Sequence, residues 1–126
     1  MKISDLFINY IIENEKKSLH PKLNLLYNNI TNDISKFGNI IFYGPPGSGK
    51  YTQALTFVKK YSPSCLKYEK KILITYNKVD YFIKISDIHF EIDMSILGCI
   101  SKVLWNEIYQ HIIDILLSRQ NKIGII

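Results

Sequence analysis

Arginine is almost missing from this sequence: of sixteen Lys and Arg residues only Arg119 is an arginine, and alanine occurs once, at Ala54. The net charge of +5 is therefore a lysine charge. Such a surface is compatible with nucleic acid but does not single it out, and lysines solvated on helices and loops are the plainer reading. The same holds for the cluster Lys67, Lys70 and Lys71. Heavy use of Ile, Lys, Asn and Tyr marks an AT-rich coding sequence, which lowers the weight of any argument from lysine. Cysteine is also scarce. Cys65 and Cys99 have no C-x-x-C spacing and no metal-ligand partners, which points to free thiols in an intracellular protein and leaves the sequon Asn29-Ile30-Thr31 unused. No run is apolar enough to span a membrane, and Asp5, Asn9 and Glu13 interrupt the first apolar stretch, which argues against a signal peptide. Low-complexity and Gly/Ser-rich tracts are lacking too. With 47% hydrophobic residues, the 126-residue chain reads as one ordered globular domain without a linker.

Periodicity divides the chain into elements. Residues 5–14 predict a short helix opening at Ser4 or Asp5. Pro21 starts a second helix whose stripe is Leu23, Leu26, Tyr27, Ile30, Ile34 and Phe37, with Gly38 at the position of a left-handed cap. Residues 39–43 form a short apolar run, the pattern of a strand covered on both faces in a parallel sheet. A helix from Lys50 to about Tyr61 turns Ala54, Leu55, Val58 and Tyr61 to a core, and Ser62-Pro63-Ser64 stops it. Between 71 and 85 the apolar positions alternate (Ile72, Ile74, Tyr76, then Tyr81, Ile83, Ile85) around a turn at 77–80, which predicts a β-hairpin. A further strand is expected at 88–94. The strongest helix is expected over 102–119, with Leu104, Ile108, Ile112, Ile115 and Leu116 facing a sheet. Residues 122–126 read as the start of a buried strand that stops midway, the mark of a truncated fragment.

The chemistry is concentrated in Gly44-Pro45-Pro46-Gly47-Ser48-Gly49-Lys50. A phosphate-binding loop needs glycines because the backbone must turn sharply and aim several N–H groups at one anion. The helix that follows adds its N-terminal partial positive charge, and Lys50 a full charge near the β- and γ-phosphates. The residue after that lysine is normally a Ser or Thr that reaches Mg²⁺; here it is Tyr51, whose hydroxyl lies a ring-width too far out. Thr52, one position on, suits the α-phosphate better than the metal. The pattern thus favours ATP binding over hydrolysis. Elsewhere, His89 and Glu91 share a strand face and can be drawn as an acid/base pair, but with nothing converging on them they read as solvent-facing or sheet-covering. His20 and His111 have no partner at ligand spacing and read as surface and helix-face residues.

Residues 39–60 resemble the Walker A strand, loop and helix of replication factor C small subunits, the AAA+ clamp loaders of DNA replication. The region after the helix sharpens this. Lys70-Lys71-Ile72 through Ser86-Asp87-Ile88-His89-Phe90-Glu91-Ile92-Asp93 is similar to the hairpin and His-x-Glu strand of one clamp-loader subunit type, whose loop likewise has no Ser or Thr directly after the lysine. The resemblance spans about residues 22–126. It implies an α/β fold: an AAA+-like P-loop NTPase with a mainly parallel sheet, flanking helices and a β-hairpin insertion, truncated, with a helical segment at 1–38 and a partial ATPase domain at 39–126. It implies an ATP site at Gly44, Pro45, Pro46, Gly47, Ser48, Gly49, Lys50, Tyr51 and Thr52, Mg²⁺ without assignable ligands, and weak or absent hydrolysis. The implied partners are other clamp-loader subunits, a sliding clamp and primer-template DNA, with no membrane, in the nucleus or in the cytoplasm if viral. The Walker B, sensor and arginine-finger residues would lie past Ile126. The Trp/Tyr-Arg-Pro signature is missing from residues 1–38, and the family's sheet order leaves the 39–43 strand without neighbours in this stretch.

Two other classes compete. The loop and its Tyr-Thr-Gln-Ala continuation are also close to the adenylate kinase loop. Such kinases, however, use several arginines on the transferring phosphates and follow the loop helix with a Thr-Gly-Asp stretch that this sequence lacks. A scaffold that holds nucleotide without hydrolysing it is the third reading, and Tyr51 suits it.

Overall fold

The computed structural model describes residues 6–126, so the helix start expected at Ser4 or Asp5 lies outside the described residues. The chain forms two compact units, one ending at Tyr68 and the other running from Glu69.

In the first unit, α1 (Phe7–Lys16) buries Phe7 and Ile11, one helical turn apart. After it come α2 (Pro21–Asn29) and α3 (Lys50–Lys59). Pro21 at the first turn of α2 supplies the helical φ and gives up only an N–H that would have had no helical partner. The second helix ends eight residues short of the expected Phe37. The hydroxyl of Thr31 takes the N–H of Asp33 at 3.1 Å, and the carboxylate of Asp33 takes that of Ser35 at 3.1 Å. These local bonds replace helical ones, so the stripe breaks up into a 3-10 turn at Ile34–Lys36, and Gly38 does not adopt the left-handed cap. Lysine closes the α2 C-terminus instead: Lys60 Nζ donates to the carbonyls of Tyr27 (2.9 Å) and Ile30 (2.6 Å). The core gathers on Phe57, with the rings of Tyr27, Phe37 and Tyr61 5.4–5.6 Å from its own and that of Phe42 at 6.4 Å. Phe57, with Leu55 and Val58, is buried on α3, whereas Ala54 and Tyr61, expected there too, are half-buried.

The second unit is a β-meander closed by a helix. Strands β1 (Lys70–Tyr76), β2 (Val79–Ile85) and β3 (Phe90–Glu91) form an antiparallel sheet in that order. The register sets Ile72 opposite Ile83 and Ile74 opposite Tyr81, so the alternating residues share one face. The turn takes only Asn77 and Lys78, both left-handed (φ 49° and 64°), which matches the right-handed twist of the strands it joins. Of the strand expected over 88–94, only Phe90 and Glu91 join the ladder with β2. Asp93 then accepts the Ser95 N–H at 3.0 Å and starts a 3-10 turn. Helix α4 (Ser101–Ser118) sets Leu104, Ile108 and Ile112 against Ile74, Ile83, Ile85, Phe90 and Leu97, with Ile115 and Leu116 at the margin, as the periodicity predicts.

The mainly parallel sheet of a P-loop NTPase does not form. Among the described residues the ladders join only β1 to β2 and β2 to β3, both antiparallel, and residues 39–43 enter neither. The cause is geometric. Antiparallel neighbours need only short turns, which 77–78 and 86–89 supply, whereas parallel neighbours need a crossover of a dozen residues or more. Helix α4 provides one such crossover, and it yields a single parallel bridge, His89 with Ile125. Ile41 and Tyr43, expected in a strand covered on both faces, are 88% and 97% exposed.

Candidate phosphate-binding loop

The loop leads directly into α3. Gly47 and Gly49 have φ of +76° and +85°, a region other residues enter at a cost, and Gly49 is the N-cap of the helix. The first intrahelical bond is Gln53 N–H to Gly49 O at 3.0 Å, so the N–H groups of Lys50, Tyr51 and Thr52 precede the helical ladder. Within the loop, Ser48 N–H donates to Pro45 O at 3.3 Å. At Gly44 a Cβ would stand 3.0 Å from Ser48 Oγ, so a side chain there would push the Ser48 hydroxyl aside.

Lys50 turns back over this loop. Its Nζ donates to Gly44 O at 2.6 Å and to Pro45 O at 3.1 Å, which holds the ammonium across the turn. Pro45, Pro46 and Gly47 are exposed, while Ser48, Gly49 and Lys50 are half-buried. The loop, the start of a ten-residue helix and one cation are thus brought together. Tyr51 is not part of this group. Its ring packs edge-on against Tyr10 of α1, with centroids 5.0 Å apart. The Thr52 carbonyl is taken by Thr56 Oγ1 at 2.8 Å. Among the described residues no group of three or more His, Cys, Asp or Glu is placed to hold a metal ion.

A polar relay centred on the buried Gln53 ties α3 to α1 and α2. Gln53, 3% exposed, accepts from Tyr27 Oη at 3.2 Å and donates to Asn14 Oδ1 at 3.4 Å, and Asn14 Nδ2 reaches Thr56 Oγ1 at 3.2 Å. Burial raises the Tyr27 phenol above its ordinary pKa, which keeps it a donor. Sequence spacing gave no hint of this relay, because Gln53 stands on the apolar face of α3 as its one buried polar residue.

No family model, curated protein or solved structure matches this chain.

The second unit holds the other polar constellation. His89 is 4% exposed rather than solvent-facing. Ser86 Oγ accepts the N–H groups of Ile88 (3.2 Å) and His89 (3.0 Å), so its own proton goes to His89 Nδ1. The ring proton then sits on Nε2, which faces Glu91 Oε2 at 3.9 Å. With Ser86 also buried, this array braces the β2–β3 turn and presents no nucleophile. Arg119 belongs to the same brace: it donates to the carbonyls of Asp87 and Ser86 at 3.0 Å each and lies over the Phe90 ring. The one arginine is thus committed to a turn.

Proposed function

We propose that residues 44–52 bind the phosphates of ATP, and that the chain is an ATP-binding subunit of the clamp-loader kind with weak or no hydrolysis of its own. One observation carries the phosphate reading: two left-handed glycines feed the N-terminus of α3 while Lys50 arches back over the same turn. The clamp-loader reading rests on the sequence resemblance at 39–60 and 70–93. Its partners, other loader subunits, a sliding clamp and primer-template DNA, belong to the same proposal, as does an intracellular setting. The free, exposed Cys65 and Cys99 support that setting. No helix among the described residues is long and apolar enough to cross a membrane. Tyr51, packed on Tyr10, supports binding without a protein-held metal.

Equilibrium binding of a fluorescent ATP analogue tests the proposal. Lys50→Ala is expected to reduce affinity about 10- to 100-fold, the worth of a hydrogen bond to a charged group. Unchanged binding would sink the phosphate-loop assignment. Tyr51→Thr is expected to leave affinity without metal intact and to make binding respond to added Mg²⁺, because it restores a short hydroxyl at the metal position. A variant as indifferent to Mg²⁺ as the parent would show that position 51 does not control metal use.

A further inference from the structure

His20 immediately precedes Pro21, far in sequence from the loop, yet its Nε2 lies 2.7 Å from the carbonyl oxygen of Ser48. We infer that His20 is a positioning residue of the phosphate loop: it holds the Ser48–Gly49 peptide in the orientation that turns the Gly49 N–H toward the anion. This rests on the phosphate-binding reading above and adds to it a residue outside the motif.

In a trans peptide the C=O and N–H point to opposite sides of one plane. Fixing the oxygen of Ser48 on the His20 side therefore fixes the Gly49 N–H on the other. The peptide needs such a tether. Turning it over changes ψ of Ser48 and φ of Gly49, and glycine accepts either sign of φ at little cost. A reversed plane would present a carbonyl dipole to the phosphate in place of a donor, which turns an attractive contact into a repulsive one. A carbonyl can only accept, so the ring nitrogen is the donor, and both the Nε2–H tautomer and the imidazolium can serve.

The histidine is itself held. Its backbone N–H reaches Ser18 Oγ at 3.3 Å, its carbonyl accepts from Leu23 N–H at 3.1 Å, and Pro21 fixes the start of α2 beside it. Leu19 and His20 both lie against Gly49: a Cβ there would meet Leu19 Cδ1 at 3.7 Å and His20 Nε2 at 4.0 Å. The segment before α2 is thus the wall of the loop on the side of the Ser48 carbonyl. A wall that only packs would act through bulk, whereas a tether acts through one proton, and the two separate experimentally.

The test compares His20→Leu, which keeps bulk and removes the donor, with His20→Gln, whose amide nitrogen can donate from a similar reach. ATP affinity of the full chain is measured by calorimetry beside Lys50→Ala, with the Gly49 amide followed by ¹⁵N–¹H spectra as ATP is added. His20→Leu is expected to lose about five- to tenfold in affinity, the worth of one hydrogen bond. The Gly49 response should weaken with it, and His20→Gln should stay within about twofold of the parent in affinity. Equal affinity in His20→Leu while Lys50→Ala loses binding overturns the tether and leaves the phosphate loop standing. Equal losses in the Leu and Gln variants also overturn it, in favour of packing. No ATP binding by the parent chain overturns the phosphate reading itself. If His20→Leu does not fold, the ring ¹⁵N spectrum of the parent decides: a proton on Nε2 supports the tether, and a bare Nε2 overturns it.

Discussion

From Glu69 onward the chain satisfies its backbone by pairing. Strands β1 and β2 are joined along seven residue pairs, the β2–β3 turn is braced by Ser86 and Arg119, and a continuous apolar core lies between the sheet and α4. In the unit ending at Tyr68, satisfaction is more local and more polar. Thr31, Asp33 and Lys60 hold turns and helix ends, Gln53 is buried in a relay, and two glycines adopt left-handed φ. Residues 39–43 belong to this unit and stay out of every ladder among the described residues. The contrast teaches where to look for chemistry. A region whose polar groups are spent on ladders and turns has few to offer a ligand, whereas one that leads a glycine turn into a helix start keeps several N–H groups outside the helical ladder.

The largest effect should come from the apolar core. Ile108, 1% exposed between α4 and the sheet, becomes a cavity in Ile108→Ala, with an expected loss of about 2–5 kcal/mol. Hydrogen exchange of the α4 and β2 amides would report it. Should the amides of α3 lose protection by the same amount, the two units unfold together and the comparison fails. Lys50→Ala comes next, with its expected 10- to 100-fold loss of ATP affinity. Protection in α4 should not change in that variant, since the ammonium donates to loop carbonyls, Gly44 O and Pro45 O. A loss there would mean that the loop cation contributes to folding rather than to binding.

Much of the second unit could be read from its sequence, because its signals are periodic and its contacts local. Alternation fixed the shared face of Ile72, Ile74, Ile83 and Ile85, and a helical stripe fixed Leu104, Ile108 and Ile112. The loop was also legible, since glycine spacing next to a lysine states a backbone requirement directly, and the structure answers it with positive φ at Gly47 and Gly49. What misled was the step from a short apolar run to a parallel sheet. Residues 39–43 carry the composition of a covered strand, but composition does not supply neighbours, and the sheet that forms is antiparallel and built by other residues. The second helix misled for another reason: its stripe continued past Asn29, while Thr31 and Asp33 offered the backbone closer partners. His20 was invisible because a contact across 28 positions leaves no spacing to read.

Gly124 sits at a close-packed point of the second unit. A Cβ there would lie 3.0 Å from Leu116 Cδ2, 3.3 Å from Phe90 Cε2 and 3.4 Å from Ile88 O, beside the hydrogen bonds that tie Ile125 to Ile88 and Phe90. Gly124→Ala should destabilise the unit by about 1 kcal/mol, since Leu116 and Phe90 must give way by a few tenths of an ångström. A lowered midpoint in urea would bear this out. An unchanged one would mean that residues 122–126 dock too weakly to belong to the core.

The smallest effect tests the hairpin on which the second unit is built. Asn77 tolerates its left-handed conformation, but Lys78 holds φ at 64° against the clash that penalises a Cβ there by about 1–2 kcal/mol. Lys78→Gly removes that penalty and leaves an Asn-Gly pair, the preferred two-residue turn between antiparallel strands. Glycine also gains freedom in the unfolded chain, which takes back part of the benefit, so the net stabilisation should be about 0.5 kcal/mol. A small rise in urea midpoint with an unchanged slope is the expected result. A fall would mean that the lysine side chain contributes more to the turn than its backbone costs, and that this hairpin is held by side-chain contacts beyond the pairing of Tyr76 with Val79.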